Sequence, residues 1–177
     1  QIHGIVSAGG TAPNIVPAHS EMLYYLRAQT SDELSDLTER AEACFAAGAL
    51  ATGCTHSIRT VSPTYTELTP DSWLAAAYRD EVTGLGRTPI PPEWETVRPL
   101  GSTDMGNVTN VLPGIHPVIG LDSAGSVTHQ PAFTAACITE SADQAVLDGA
   151  RALAGTVIRA ASDEAQRARL LEGVERR

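Results

Sequence analysis

Ser20-Glu21-Met22-Leu23-Tyr24-Tyr25-Leu26-Arg27-Ala28, with Ser31-Asp32-Glu33-Leu34 close behind, decides how the first part of this chain folds. Met22, Tyr24, Leu26 and Ala28 alternate with Glu21, Leu23, Tyr25 and Arg27, so the run reads as a strand with two distinct faces. Ser31 then offers a hydroxyl N-cap, and Asp32 and Glu33 place negative charge where first-turn N–H groups are exposed. Leu34, Leu37, Ala41, Cys44, Gly48 and Ala51 recur at helical spacing, and Gly53 suits the left-handed residue that closes such a helix. Upstream, Ile2, Gly4 and Val6 alternate with Gln1, His3 and Ile5, which predicts another strand over Gln1–Val6. The crossing between the two strands is rich in turn formers: Gly9-Gly10 admits positive φ, and Pro13 and Pro17 stiffen the backbone leading into the second strand. A third strand is expected over Thr55–Tyr65, with Ile58, Thr60 and Ser62 opposite Ser57, Arg59 and Val61. Strand, strand, helix, strand predicts an α+β unit, an antiparallel sheet with a helix on one face. The usual split unit would need one more strand and helix, so the helix side is expected to be underpacked.

The texture changes between Tyr65 and Thr69, where a second domain is expected to begin. Thr69-Pro70-Asp71 starts a helix through Trp73, Leu74, Ala77, Tyr78 and Val82, ending near Gly84-Leu85-Gly86. A proline-rich link, Pro89–Pro99, leads to a polar segment, and Val118–Leu121 reads as a short buried strand. Pro131–Cys137 begins a helical turn, and Asp143–Ala161 reads as a long alanine-rich helix carrying Ala145, Val146, Leu153, Val157 and Ile158. The charged tail, Ser162–Arg177, is expected to be a surface helix.

At 177 residues and 18.6 kDa there is room for one full domain or two small ones, and 42% apolar residues suffice for a core. A net charge of −9 with only 12 scattered basic residues excludes a nucleic-acid partner. No apolar run reaches the length of a membrane span. Cys44, Cys54 and Cys137 form no CxxC pair and leave an odd count, which fits a reducing, cytoplasmic setting, with Cys44 and Cys137 expected as core filling. Gln1 leads directly into strand-like sequence without Met or a secretory signal, so a truncated or processed chain is expected.

Gly101-Ser102-Thr103-Asp104-Met105-Gly106-Asn107-Val108 gathers glycines, hydroxyls and an acid in an apolar region, as a buried polar site would. It has no Lys after the glycines and no GxGxxG pattern, so a phosphate loop is disfavoured. Asp104 reads either as a turn residue bonding its own backbone or as a group orienting a substrate beside a metal. His129, beside Thr128, can offer a neutral ring nitrogen to zinc; a packed or surface histidine is the plainer reading for it and for His116. His3, His19 and His56 fall on unrelated elements. Asn14, in the loop between the strands, and Arg27, at a strand end, could hold a carbonyl and a carboxylate; a solvated Arg27 is the alternative.

Three long patterns bear a family likeness: Gln1–Val6 with Gly9–Pro17 and Tyr24–Ala28; the helix end Gly48–Gly53; and Gly101–Val108 with Pro113-Gly114-Ile115-His116-Pro117. Together they resemble the two-metal, zinc-dependent amidohydrolases of the aminoacylase and carboxypeptidase family, with aminobenzoyl-glutamate hydrolases as the nearest branch. The resemblance runs in unbroken order from Gln1 to about Ile158. It implies a partial lid, or dimerisation, domain over residues 1–66 and the C-terminal part of an α/β metallohydrolase catalytic domain over 67–177. It further implies that Asn14 and Arg27 bind substrate, with Arg27 on its carboxylate. Ser102, Thr103, Asp104 and Asn107 would belong to an active-site loop, and His129 would be the last metal ligand. Two divalent ions, zinc or manganese, and a homodimer are implied, as is a small amino-acid amide or peptide substrate. The family's His-x-Asp element, bridging Asp and Glu-Glu pair, which carries the general base, are absent from residues 1–177. The fragment alone is therefore expected to be inactive and to need an N-terminal part of the same enzyme. The competing expectation is a non-catalytic dimerisation or binding module descended from such an enzyme.

Overall fold

The computed structural model describes residues 1–95 and 101–175. The chain divides into two compact units, Gln1–Glu67 and Leu68–Arg177. In the first, β1 (Ile2–Ala8) and β2 (Glu21–Leu26) form an antiparallel pair, followed by α1 (Ser31–Thr52). The register sets His3 against Tyr25, Gly4 against Tyr24 and Val6 against Met22, with an extra residue at Ser7 before Ala8 meets Glu21. That bulge ends the regular ladder where the crossing loop begins. Gly4 is needed for close approach, because a Cβ there would meet the Tyr24 ring at 2.7 Å. Tyr24 in turn packs against Phe45 of α1, with ring centroids 5.2 Å apart. The antiparallel sheet with a helix on one face is the α+β arrangement read from the sequence.

Local chemistry moves some details. The N-cap of α1 is Thr30 rather than Ser31: its Oγ1 accepts the Glu33 N–H at 3.2 Å, while Glu33 accepts the Gln29 N–H at 3.1 Å. Ser31 is occupied elsewhere, giving both its N–H and its hydroxyl to the Glu67 carboxylate, whose pKa the hydroxyl bond lowers. Gly53, at φ 70°, ends the helix as expected: the Gly53 N–H bonds Leu50 and the Cys54 N–H bonds Ala49. The inward stripe of α1 runs through Leu34, Leu37, Ala41, Phe45 and Ala49, so the expected Cys44, Gly48 and Ala51 turn out to be exposed. At 3.6 residues per turn the larger Phe45 takes the position toward the sheet and Cys44 falls on the flank. Cys137 is exposed too, so neither cysteine fills a core, and all three thiols are free. Thr55–Tyr65 is not a strand: it has no ladder partner among the described residues and its backbone runs exposed.

The second unit holds α2 (Ser72–Gly84), α3 (Pro92–Glu95), α4 (Met105–Thr109), α5 (Pro131–Ala136), α6 (Glu140–Ser162) and α7 (Glu164–Glu175). Residues 96–100 of the proline-rich link and 176–177 of the tail lie outside the described residues. α2 packs on α6 around Tyr78, Val82 and Ala152, with Ile115 laid against them. The buried face of α6 is small: Ala142, Ala145, Ala152 and Thr156, together with Asp148. Of the apolar residues named along this helix, Ala145 is inside, whereas Val146 (70% exposed), Leu153, Val157 (66%) and Ile158 (64%) face outward. Small side chains let two helices approach closely, so the larger aliphatic residues lie exposed, away from that contact. No helix among the described residues is long and apolar enough to cross a membrane.

Val118–Leu121 is not a strand either, yet its pattern survives. Ile115, Pro117, Ile119 and Leu121 are half-buried while His116, Val118 and Gly120 are exposed. The side chains thus alternate as in a strand, with Ile119 against Gly149 of α6. The backbone is tied from outside a sheet: Arg87 donates to the Gly120 carbonyl at 2.8 Å and to Asp148 at 2.8 Å, and Gln144 donates to the same carboxylate.

Asp71 joins the unit's parts. It caps α2 by accepting the Leu74 N–H at 3.0 Å, takes both guanidinium arms of Arg169 on α7 at 2.7 and 3.0 Å, and donates its own N–H to the Gly114 carbonyl at 2.9 Å. The Arg169 bond chiefly holds the Asp71 carboxyl below its ordinary pKa. Its stabilisation is therefore full above the unfolded-state pKa and is lost as pH falls through the lower folded value. Replacing Asp71 by Asn should cost about 1 kcal/mol at neutral pH, partly screened because Arg169 reaches solvent, and far less near pH 3. Urea unfolding of both proteins at the two pH values checks this; an equal difference at both would contradict it.

Candidate functional site

In the first unit one candidate substrate group, Asn14, lies within the crossing between the strands, and the other, Arg27, follows β2 at the end of the ribbon away from that crossing. Ala12–Ile15 is a turn closed by the Ile15 N–H to the Ala12 carbonyl at 3.2 Å, with Pro13 and Asn14 at its centre and Asn14 exposed. Proline fixes the φ that the first central position of such a turn wants, so Asn14 is presented by a stiff loop. Arg27 follows β2, its N–H bonded to the Gln1 carbonyl at 2.9 Å. Its guanidinium lies 5.7 Å from the centroid of the Tyr25 ring, and Tyr25 stacks on its cross-strand neighbour His3 at 6.1 Å. The row His3, Tyr25, Arg27 orients a cation on an exposed face, an interaction worth about 0.5–1 kcal/mol. Two-residue alternation puts Tyr25 and Arg27 on one face; the pairing with His3 needed the register.

In the second unit the polar segment forms a loop leading into α4. Ser102, Asp104 and Asn107 are exposed and Thr103 is half-buried. Asp104 stands at the N-cap of α4 but its carboxylate makes no capping bond; the Asp104 carbonyl accepts the Asn107 N–H at 3.0 Å. The side-chain bond to the turn backbone comes from Thr103, whose Oγ1 accepts the Met105 N–H at 3.2 Å. Thr103 Oγ1 also lies 3.2 Å from Nδ1 of His116, a contact no spacing in the sequence announces. Behind α4, the buried Thr109 hydroxyl accepts the Thr69 N–H at 3.0 Å, and the Thr69 hydroxyl bonds Asn110 Oδ1 at 2.9 Å. The loop therefore hangs from the residues that open α2.

His129 occupies a different loop, between Leu121 and α5. Asp122 Oδ1 accepts the Ala124 N–H at 2.9 Å and the Asp122 N–H bonds Ser141 at 2.8 Å, fixing that loop's start on α6. Ala124 at φ 49°, Gly125 at φ 78° and His129 at φ 65° all adopt left-handed backbone. His129 is exposed, and left-handed backbone at a histidine is uncommon enough to mark a local constraint. Among the described residues no three His, Cys, Asp or Glu side chains converge to hold a metal. His129 can thus serve as one donor of a set, not as a site by itself. The candidate groups are split between two loops of the second unit and one ribbon of the first.

No family model matches the chain. It is similar to the Xaa-Arg dipeptidase of Mus musculus, 41% identical over 178 residues, covering 99% of this chain and 40% of that protein. The Xaa-Arg dipeptidase of Homo sapiens is 40% identical over 174 residues, covering 98% of this chain and 39% of the relative. The chain therefore spans about two fifths of the length of the curated relatives it matches. This likeness supports a peptidase or amidohydrolase family and does not single out the aminobenzoyl-glutamate branch.

The backbone at His129 yields a test independent of activity. A β-branched residue is disfavoured at φ 65°, whereas glycine is not. His129→Val should be less stable than His129→Gly by about 1–2 kcal/mol in thermal melts. Equal stability would show that the loop relaxes freely.

Proposed function

We propose that this chain is part of a metal-dependent peptidase that cleaves the amide bond of a dipeptide or N-acyl amino acid bearing a free carboxylate. The likeness to Xaa-Arg dipeptidases across nearly the whole chain carries this reading. The shared chemistry of dipeptides, acyl-amino acids and aminobenzoyl-glutamate is an amide next to a terminal carboxylate. Arg27, oriented by Tyr25, offers that carboxylate two parallel N–H donors, and Asn14 holds a neighbouring carbonyl. Fixing the carboxylate fixes the distance to the scissile amide, which lowers the entropic part of the barrier. Thr103, Asp104 and Asn107, with Ser102, form a polar wall on the loop ahead of and within α4. His129 donates one imidazole nitrogen to a divalent ion, zinc or manganese, of a pair. When bound, such ions polarise an amide carbonyl and make a water acidic enough to attack.

The remaining metal donors and the general base come from polypeptide outside these 177 residues. The first unit acts as a lid that pairs with a second copy, and three free thiols suit a reducing, cytoplasmic setting. The dipeptide class ending in arginine, taken from the names of the relatives, is the first to test.

The assay uses the longer protein loaded with zinc or manganese on Xaa-Arg dipeptides, N-acyl amino acids and aminobenzoyl-glutamate. Arg27→Ala should raise KM about tenfold or more for the carboxylate form, lower kcat less, and leave a C-terminally amidated dipeptide unaffected. Unchanged kinetics for the carboxylate form would defeat Arg27's role. A metal-loaded longer protein that cleaves none of these would favour the non-catalytic binding module instead.

A further inference from the structure

The loop ahead of α4 and the segment behind it are joined by the contact between Thr103 and His116, which the roles above leave unused. The two arms it connects are held very differently. The rear arm is tied to the helical core: the Asp71 N–H bonds the Gly114 carbonyl at 2.9 Å, and Ile115 packs against Tyr78, Val82 and Ala152. Pro117 restricts the backbone of the residue before it to extended conformations, so His116 is presented from a fixed direction. The forward arm begins at Gly101, φ 119°, where a Cβ would meet no heavy atom within 4 Å. Ser102 and Asp104 on it are exposed. An exposed imidazole on a stiff arm, bonded to a hydroxyl on an open one, has no packing reason to be histidine.

We infer that His116 is a positioning residue for the substrate-facing loop, an inference that rests on the peptidase reading. The Thr103 hydroxyl has one proton and two lone pairs, and the Met105 N–H takes one lone pair. The imidazole fixes the rest. Nδ1 accepts the hydroxyl proton when the ring carries its proton on Nε2, or donates into the second lone pair when it carries it on Nδ1. In both tautomers the Thr103 rotamer is held, and the turn that presents Asp104 and opens α4 is held with it. His116 touches no reacting atom in this role; it acts through Thr103.

Asparagine is the informative substitution, because its side-chain amide places a donor or acceptor about where Nδ1 lies. In the longer, metal-loaded protein, His116→Ala should lower kcat/KM for a dipeptide about tenfold, with most of the loss in kcat. His116→Asn should recover all but about threefold, and Thr103→Val should lose at least as much as the alanine variant, because it also removes the acceptor of the Met105 N–H. The double variant should lose no more than Thr103→Val alone, since the valine already removes the bond to His116 along with the one to Met105. Wild-type kinetics in His116→Ala, or losses that add in the double variant, would overturn the inference. Amide exchange at Met105, read in the 177-residue chain, separates this from the peptidase reading. It should accelerate about tenfold in His116→Ala, and at least as much in Thr103→Val, even if the longer protein cleaves nothing, and unaltered exchange in His116→Ala would sink the positioning role.

Discussion

The close approach of α2 to α6 is the constraint on which the second unit depends. It requires small residues along one side of α6, and a Cβ at Gly155 would run into the Glu81 side chain. Ala152 is completely buried there, beside Tyr78 and Val82. Arg159 crosses back to Asp80 at 3.1 Å and Glu81 at 3.5 Å, and Arg87 binds Asp148, so charged groups stitch both ends of the pair. The polar loops gain their positions from this pair. The loop around α4 is hung from Thr69 and Asp71 at the start of α2, and the loop carrying His129 is pinned by Ser141 at the start of α6.

Much of this was legible in the residues. Alternation found β1 and β2, and spacing found α1, α2 and α6, because each pattern follows directly from the geometry of its element, while the charge of the tail pointed to α7. Gly53 marked a helix end because left-handed backbone there favours glycine. The failures share a cause. Thr55–Tyr65 and Val118–Leu121 carry strand patterns, but a strand exists only beside another, and the sequence of one segment says nothing of its neighbour's presence. The core face of α6 was not legible, because large aliphatics outrank alanines on any hydrophobicity scale, while helix packing selected the small side. Among the candidate site residues, type and local turn chemistry could be read, whereas contacts between distant segments could not. His3 beside Tyr25 and His116 beside Thr103 depend on strand register and loop path.

Among the described residues, the outward aliphatics of α6, the strand-like run at 115–121 outside any ladder and the exposed imidazole at 129 share a character. In the proposed peptidase each would be half of an interaction: an apolar face, a ladder edge and a metal donor. Relatives more than twice as long as this chain give that incompleteness a natural context in the proposed peptidase. Substrate recognition through Arg27 and Asn14 then belongs to the ribbon unit, and metal chemistry to a body of which the second unit is one part.

The most direct measurement is the metal content of the longer protein with and without His129. Elemental analysis after dialysis against trace zinc should find roughly two ions per chain in the wild type and a clear loss in His129→Ala, whose melting temperature in the metal-free state should stay near that of the parent. Full retention of both ions by His129→Ala, at unaltered affinity, would contradict the account.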